Sequence, residues 1–344
     1  MFKHLKPVLM MMIVVVLLSA CAAPATQAPA KPAATQPPAA SSSGAFKIAL
    51  LSPGSVNDQG WNSIAYNAMK QIQSQLGAQF SYVELQPDPA SYEKAFRDYA
   101  SQGYQFILGH GNEFQDSAVT VAKDYPNSQF FISSSYIHLS NVTGLNTASD
   151  QPSYLMGVMS AMMCKAAGLV GGMQIQPVTE AFTGFLNGAK SVNPNFKVYT
   201  TYTGSFSDAS AAKEAALSMI AQGADCIVPD TDVAGQGVYQ AVVEKGPNIW
   251  TFGFLTTVDA APGQTLANYT SDYGAGIISI AKAVKDGTFK PGKNVDFGLD
   301  RPDVIQFAFD PGSKLPIPQN VKDAVAAATK AIIAGQINTL APVK

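Results

Sequence analysis

The sequence predicts an α/β protein of two similar, doubly wound parallel-sheet lobes joined by a multi-stranded hinge. Three observations predict it. Short β-rich apolar runs alternate with helical stretches from residue 46 to residue 254, the pattern of parallel sheets covered on both faces. The series then recurs at an offset near 120 residues. Finally, the last ninety or so residues carry a helix, a strand and a helix that fit neither copy and are expected to pack back across both lobes.

The first set places strands at 46–52, 79–85, 104–109 and 129–134, with helices at 61–76, 91–101 and 114–124. The second places strands at 169–174, 197–203, 225–229 and 249–254, with helices at 180–192, 209–221 and 235–245. Gln102-Gly103 and Gln222-Gly223 stand 120 positions apart, each closing a helix ahead of a strand. Ile107 and Ile227 share that offset, and Pro126 and Pro247 are 121 apart. A repeat this long means two lobes, because solenoid repeats are far shorter. The tail adds a helix at 275–286, a strand at 304–309 and an alanine-rich helix at 320–334. The expected division is 46–150 plus about 255–290 for the first lobe and 151–254 plus about 291–344 for the second. In open parallel sheets ligands bind beyond the carboxyl ends of the strands, so two facing lobes imply a cleft that closes by a hinge.

The N-terminus is of another kind. Lys3 and Lys6 precede an apolar run from Val8 to Leu18, a secretory signal over residues 1–20 and too short for a membrane span of about 20 apolar residues. Its ending, Leu18-Ser19-Ala20-Cys21, resembles the bacterial lipobox, which makes Cys21 a lipidated, membrane-anchoring N-terminus. Residues 22–44 are Ala, Pro, Thr, Gln and Ser with Lys31, one glycine and no acid or aromatic. Such a stretch buries too little apolar surface to order itself, so 21–45 reads as lipid attachment and linker. The protein is expected outside the cytoplasm, held to the cell membrane.

Charge is nearly balanced, 22 basic against 24 acidic residues, and no basic stripe points to nucleic acid. Cys164 and Cys226 are free to pair in an oxidising compartment but read as small buried thiols. No dinucleotide loop, Walker loop, nucleophile elbow or H-E-x-x-H is present, so neither catalytic residues nor a metal or other cofactor is expected.

The strand-end loops carry the candidate binding residues. After the first strand come Asn57, Asp58, Trp61 and Asn62. Asp58 suits a helix cap as well as a ligand, whereas the Trp61 indole offers a platform for a planar solute. After the third strand come His110, which has no partner to make it a base and reads as structural, and Asp116, a first-turn acid. The second lobe supplies Phe182, Phe206, Asp208, Asp230 with Asp232, and Phe254. Phe182 and Phe206 are candidate partners for Trp61 across the cleft, and Asp208 again stands where a cap would.

The order Asn57-Asp58-Gln59-Gly60-Trp61-Asn62, Ala122-Lys123-Asp124-Tyr125-Pro126, Ser153-Tyr154-Leu155-Met156-Gly157, Gly204-Ser205-Phe206-Ser207-Asp208 and Gln222-Gly223-Ala224-Asp225 resembles the basic membrane protein family of ABC-importer lipoproteins, which includes purine nucleoside receptors. The resemblance runs from Phe46 to about Asp286. It implies a type I periplasmic-binding-protein fold, an ABC permease partner, and a purine held between aromatics at Trp61 and Phe206 with Asn62 and Asp116 near the base. Two departures stand out: Gly253-Phe254-Leu255 replaces the family's Gly-x-Asp ribose anchor, and Tyr269-Thr270-Ser271-Asp272-Tyr273-Gly274 has no lysine. A free nucleobase therefore competes with a nucleoside as the expected ligand. A sugar or polyol receptor of the same fold and a ligand sensor not coupled to transport are the alternatives. A monomer is expected.

Overall fold

The computed structural model describes residues 44–58, 61–255 and 260–342. The predicted signal, Cys21 and the linker up to residue 43 lie outside the described residues.

The chain opens with β1 (Lys47–Ser52), in which Ile48, Ala49, Leu50 and Leu51 are all fully buried. Ile48 and Leu50 enter one core, Ala49 and Leu51 another, because successive side chains leave a strand on opposite faces and both faces here are covered. Then follow α1 (Trp61–Leu76), β2 (Gln79–Glu84), α2 (Pro89–Ser101), β3 (Phe106–Gly109), α3 (Gln115–Ala122), β4 (Gln129–Ser133) and β5 (Val142–Thr147). Asp88 caps α2, its carboxylate accepting from the backbone N–H groups of Ala90 and Ser91.

The second series is α4 (Asp150–Met163), β6 (Ala166–Gly171), α5 (Gln176–Val192), β7 (Lys197–Tyr202), α6 (Ala209–Ala221), β8 (Cys226–Asp230), α7 (Gly235–Lys245), β9 (Trp250–Gly253) and β10 (Thr265–Ser271). The tail adds α8 (Tyr273–Lys285), β11 (Val295–Phe297), β12 (Ile305–Phe309) and α9 (Gln319–Ile333). Two six-stranded sheets result, in the orders β11-β5-β4-β3-β1-β2 and β12-β10-β9-β8-β6-β7. Neighbouring strands run parallel throughout except β10 and β12, which are antiparallel. Both halves thread their strands alike, with the second strand outside the first and the third to fifth following on the other side. The two-lobed α/β architecture is the one the repeat predicts.

Four elements escape the sequence pattern. β5 carries Gly144 and Asn146, poor strand formers, and is a strand because it pairs with β4 and β11. In α4 every residue from Pro152 to Ser160 is buried, which leaves no polar stripe to betray a helical period. β10 and β11 likewise owe their assignment to pairing. Those pairings share out the tail differently from a division at about 255 and 291. β10 lies between β9 and β12 in the second sheet, α8 packs on α1, and β11 joins β5 in the first sheet. The chain thus crosses between the sheets after β5, after β10 and after β11. Hydrogen bonds fasten these crossings: the Ser149 and Tyr269 hydroxyls meet at 2.9 Å, Tyr273 donates to the Leu145 carbonyl at 3.1 Å, and the Leu299 N–H donates to Gln151 Oε1 at 2.9 Å.

Cys164 and Cys226 are disulfide-bonded, with Cα atoms 6.1 Å apart, and not the free thiols expected from the sequence. Sheet register explains the pairing. Ala167 of β6 lies opposite Cys226 of β8, so Cys164, just ahead of β6, reaches the same sheet end within disulfide range. No described helix is long and apolar enough to cross a membrane. The bridge closes a loop over a sequence separation of 62 residues, for which the chain-entropy account gives about 4 kcal/mol and typical measurements 2–4. The double serine variant C164S/C226S is accordingly expected to lose about 2–4 kcal/mol of unfolding free energy in denaturant titrations.

Candidate functional site

The loops at the carboxyl ends of the two sheets approach one another. Asp58, after β1, and Asp232, after β8, lie close enough that the charge of Asp58 raises the Asp232 pKa, behind burial as the larger cause. The Tyr136 hydroxyl, from the loop after β4, donates to Glu180 Oε2 in α5 of the other lobe.

In the first lobe the centre of the site is an aromatic pile. The Trp61 indole, half-buried at the start of α1, stacks on the His110 imidazole with centroids 4.3 Å apart and planes at 22°. Tyr273 stacks on the same indole at 5.3 Å and 29°. His110 and Tyr273 are 6.4 Å apart. Rings on opposite faces of the indole would be at least about 7 Å apart, two van der Waals separations. Both therefore back the same face, and the other face has no aromatic partner among the described residues.

His110 is fully buried and held at both nitrogens, Nε2 at 3.0 Å from the Trp61 carbonyl and Nδ1 at 3.0 Å from the Ser133 hydroxyl. A carbonyl can only accept, so Nε2 carries the proton and Nδ1 takes the hydroxyl hydrogen. Burial lowers the imidazole pKa to about 4, against the opposing pull of the Trp61 carbonyl and the Asp58 charge. A neutral, doubly anchored ring under Trp61 fixes the plane of the indole.

The second lobe presents acids over aromatics. Asp230 ends β8 on the face of Cys226 and Val228, which belong to the core shared with Phe182, Phe254 and Tyr269. Burial, and next the Asp232 charge, raise its pKa to about 7. No hydrogen-bond donor meets its carboxylate among the described residues. Asp232 begins the next turn with φ +50, a left-handed conformation that asparagine and aspartate tolerate better than most. The Phe206 ring packs against Gly172, where any Cβ would strike it. The loops after β1, β3, β4, β6, β7 and β8 contain no Lys or Arg, so these loops are acidic in composition.

The sequence candidates divide on their geometry. Asp58 does cap α1: its carboxylate accepts from the N–H groups of Asn62 at 2.9 Å and Ser63 at 3.0 Å, and from the Ser63 hydroxyl at 2.6 Å. Asp208 caps α6 through Ser210 and Ala211, both at 3.0 Å. Asn57 and Asp116 are exposed, Asp116 in the first turn of α3. Asn62 buries Oδ1 with no hydrogen-bond partner among the described residues. Phe182 and Phe254 are almost wholly buried, packed on Tyr202 at 5.6 Å and edge-on to Tyr269 at 5.2 Å. Phe182 sits within α5 and not at a strand end. Sequence reasoning missed Tyr273 and the supporting part of His110. Neither has a local signal, since Tyr273 is 212 residues from Trp61 in sequence and reaches it only through the second crossing. Among the described residues no group of three or more His, Cys, Asp or Glu is gathered to hold a metal.

The family model of ABC transporter substrate-binding proteins of the PnrA-like (Bmp) type matches residues 45–338. The chain belongs to the Bmp family. It is 30% identical over 304 residues to the ABC transporter nucleoside-binding protein BmpA of Lactococcus lactis subsp. cremoris, covering 82% of this chain and 85% of that protein. Over 297 residues it is 28% identical to a purine-binding protein of Brucella abortus, with 85% and 82% covered. A solved ABC transporter solute-binding protein from Aeropyrum pernix K1 superposes with a TM-score of 0.68 at 20% identity, covering 86% of this chain and 92% of that one, a likeness of fold. This Bmp protein is therefore the extracytoplasmic substrate-binding component of an ABC transporter. Its family binds small-molecule solutes and works with an ABC permease.

The two shifted groups act on stability in opposite senses. Between about pH 4 and 6.5 the unfolded state binds the His110 proton and the folded state does not, so this group adds stability as pH rises. Between 3.8 and about 7 the folded state keeps the Asp230 proton that the unfolded state has lost, so this group removes stability as pH rises. D230N should be progressively more stable than the parent as pH goes from 4 to 7, with a constant advantage above that, read from denaturant midpoints at each pH.

Proposed function

We propose that this protein captures a purine nucleobase or nucleoside between its lobes and delivers it to the permease while tethered to the membrane through Cys21. The observation that carries the ligand reading is the Trp61 indole, backed on one face by His110 and Tyr273 and without an aromatic partner on the other among the described residues. A rigid, pre-oriented indole suits a flat ring, and Phe206 in the second lobe is the proposed opposite wall. Asn57, Asn62, Asp116, Asp230 and Asp232 are acceptors for ligand N–H and O–H groups. Asp230 ends β8, next to β9, and Asp232 follows in the turn; Leu255 stands where the family resemblance implies an acid, and these two carboxylates take over the hydroxyl contacts. Relatives named for nucleoside and purine binding support the same class. An acidic edge without Lys or Arg suits neutral donors and disfavours phosphorylated ones.

Ligand-stripped protein should gain melting temperature with at least one of adenine, guanine, adenosine or guanosine, and none with their 5′-monophosphates. If ribose alone protects and no purine does, the sugar reading replaces this one. W61A should weaken the bound purine by roughly 5- to 150-fold in calorimetric titration, the 1–3 kcal/mol of one base–aromatic stack. For the tether, C21S should move the protein from the membrane pellet to the soluble fraction of fractionated cells.

A further inference from the structure

The loop that follows β4 is over-determined for a segment without regular structure. Ser134 holds φ +55. The buried Ser135 hydroxyl donates to Gln115 Oε1 at 2.7 Å and accepts the Ile137 N–H at 3.2 Å. The Ser135 carbonyl accepts from Asn146 Nδ2 at 2.7 Å and packs so tightly over Gly144 that a Cβ there would collide with it. The Gly144 N–H closes the fold-back on the Ile137 carbonyl at 2.7 Å. Five groups of the first lobe thus dictate where the residue between Ser135 and Ile137 points, and that residue is Tyr136. Its hydroxyl leaves the lobe and donates to Glu180 Oε2, in the second turn of α5.

Glu180 has one bond within its own helix, Oε1 accepting from Gln176 Nε2 at 2.9 Å. No Lys or Arg pairs with it among the described residues. The charges felt at this spot are those of Asp150 and Asp296, both acids. The Tyr136 hydroxyl is therefore the donor that the second lobe's carboxylate depends on from across the gap. The bond joins a loop of one lobe to a helix of the other and neither residue is on a crossing segment, so an arrangement that parts this loop from α5 loses it, and a bond made in one arrangement only biases the equilibrium towards it.

We propose that Tyr136 and Glu180 form an interlobe clasp: a positioning pair that holds the lobes apposed and so raises the affinity for whatever solute the receptor encloses. The pair acts on closure and does not depend on the ligand being a purine. Full-length protein carrying two fluorophores, introduced as unnatural amino acids at the exposed positions of Lys123 and Lys245, reports the interlobe distance by single-molecule energy transfer without any ligand. In the parent the short distance dominates. Y136F keeps the ring and removes only the donor, and should shift the ratio of short to long distances by roughly tenfold or more, the effect of losing a hydrogen bond to a charged group. E180A should do the same, E180Q less, and Y136F/E180A no more than either single variant, because both remove one interaction. Circular dichroism confirms that each variant is folded. Unchanged or shortened distances in folded Y136F, or additive effects in the double variant, overturn the clasp. Since no ligand enters the measurement, failure of every purine to bind would leave it standing, and its own failure would leave the purine reading untouched.

Discussion

Burial of every central strand on both faces is the constraint from which the rest of this structure follows. In β1 four successive residues are completely excluded from water, split between two cores, and the only way to shield both faces of such a sheet is to cover each with helices. Once the faces are occupied, the sheet has nothing left to offer a solute except the edge where strands end and helices begin. Two such sheets, tied by three chain crossings, set those edges against each other. The proposed site residues are therefore loop and helix-start residues: Asp58 and Trp61 from one side, Phe206, Asp230 and Asp232 from the other.

On that edge the protein spends rigidity on the aromatic side and leaves the acidic side unsatisfied. Trp61 rests on a neutral histidine whose two nitrogens are both committed, so the indole is positioned before any solute arrives. Pre-organisation of this kind reduces the ordering cost of binding. Asp230 and Asp232 are the counterpart. They face burial, each other and Asp58 without a neutralising cation, and their raised pKa values express that tension. Carboxylates held in this way gain from a partner that brings hydrogen-bond donors, which couples ligand capture to relief of an electrostatic cost already present in the fold.

The crossings and the Tyr136–Glu180 bond divide the work of holding the lobes. Ser149–Tyr269, Tyr273–Leu145 and Leu299–Gln151 fasten the segments where the chain itself passes over. Tyr136 and Glu180 belong to none of those segments, although Asp150 and Asp296 at the first and third crossings are near enough for their charges to be felt there. Stability and closure are thereby assigned to different bonds, which lets one change without the other.

Much of this was legible in the amino-acid order. Alternating strand and helix periods, together with the 120-residue offset seen at Gln102-Gly103 and Gln222-Gly223, carried the two-lobed α/β fold, since periodicity is a local signal that chain order preserves. Caps were legible too: Asp58 and Asp208 stand where a short acid before a helix belongs, and both do cap. Elements whose identity lies in their partners were not. β5 is a strand through β4 and β11, α4 hides its period because it is buried all round, and β10 and β11 reveal their sheets only by pairing. The disulfide, the Tyr273 backing of Trp61 and the meeting of Tyr136 with Glu180 fall in the same class, since each joins residues 44 to 212 positions apart. Local sequence thus determined the strands and helices that carry their own period, and the polar loops between them, by patterning and turn chemistry. Only the tertiary structure decided which loops face each other and which rings and charges meet there, because sheet register and the three crossings set those distances and no local propensity encodes them.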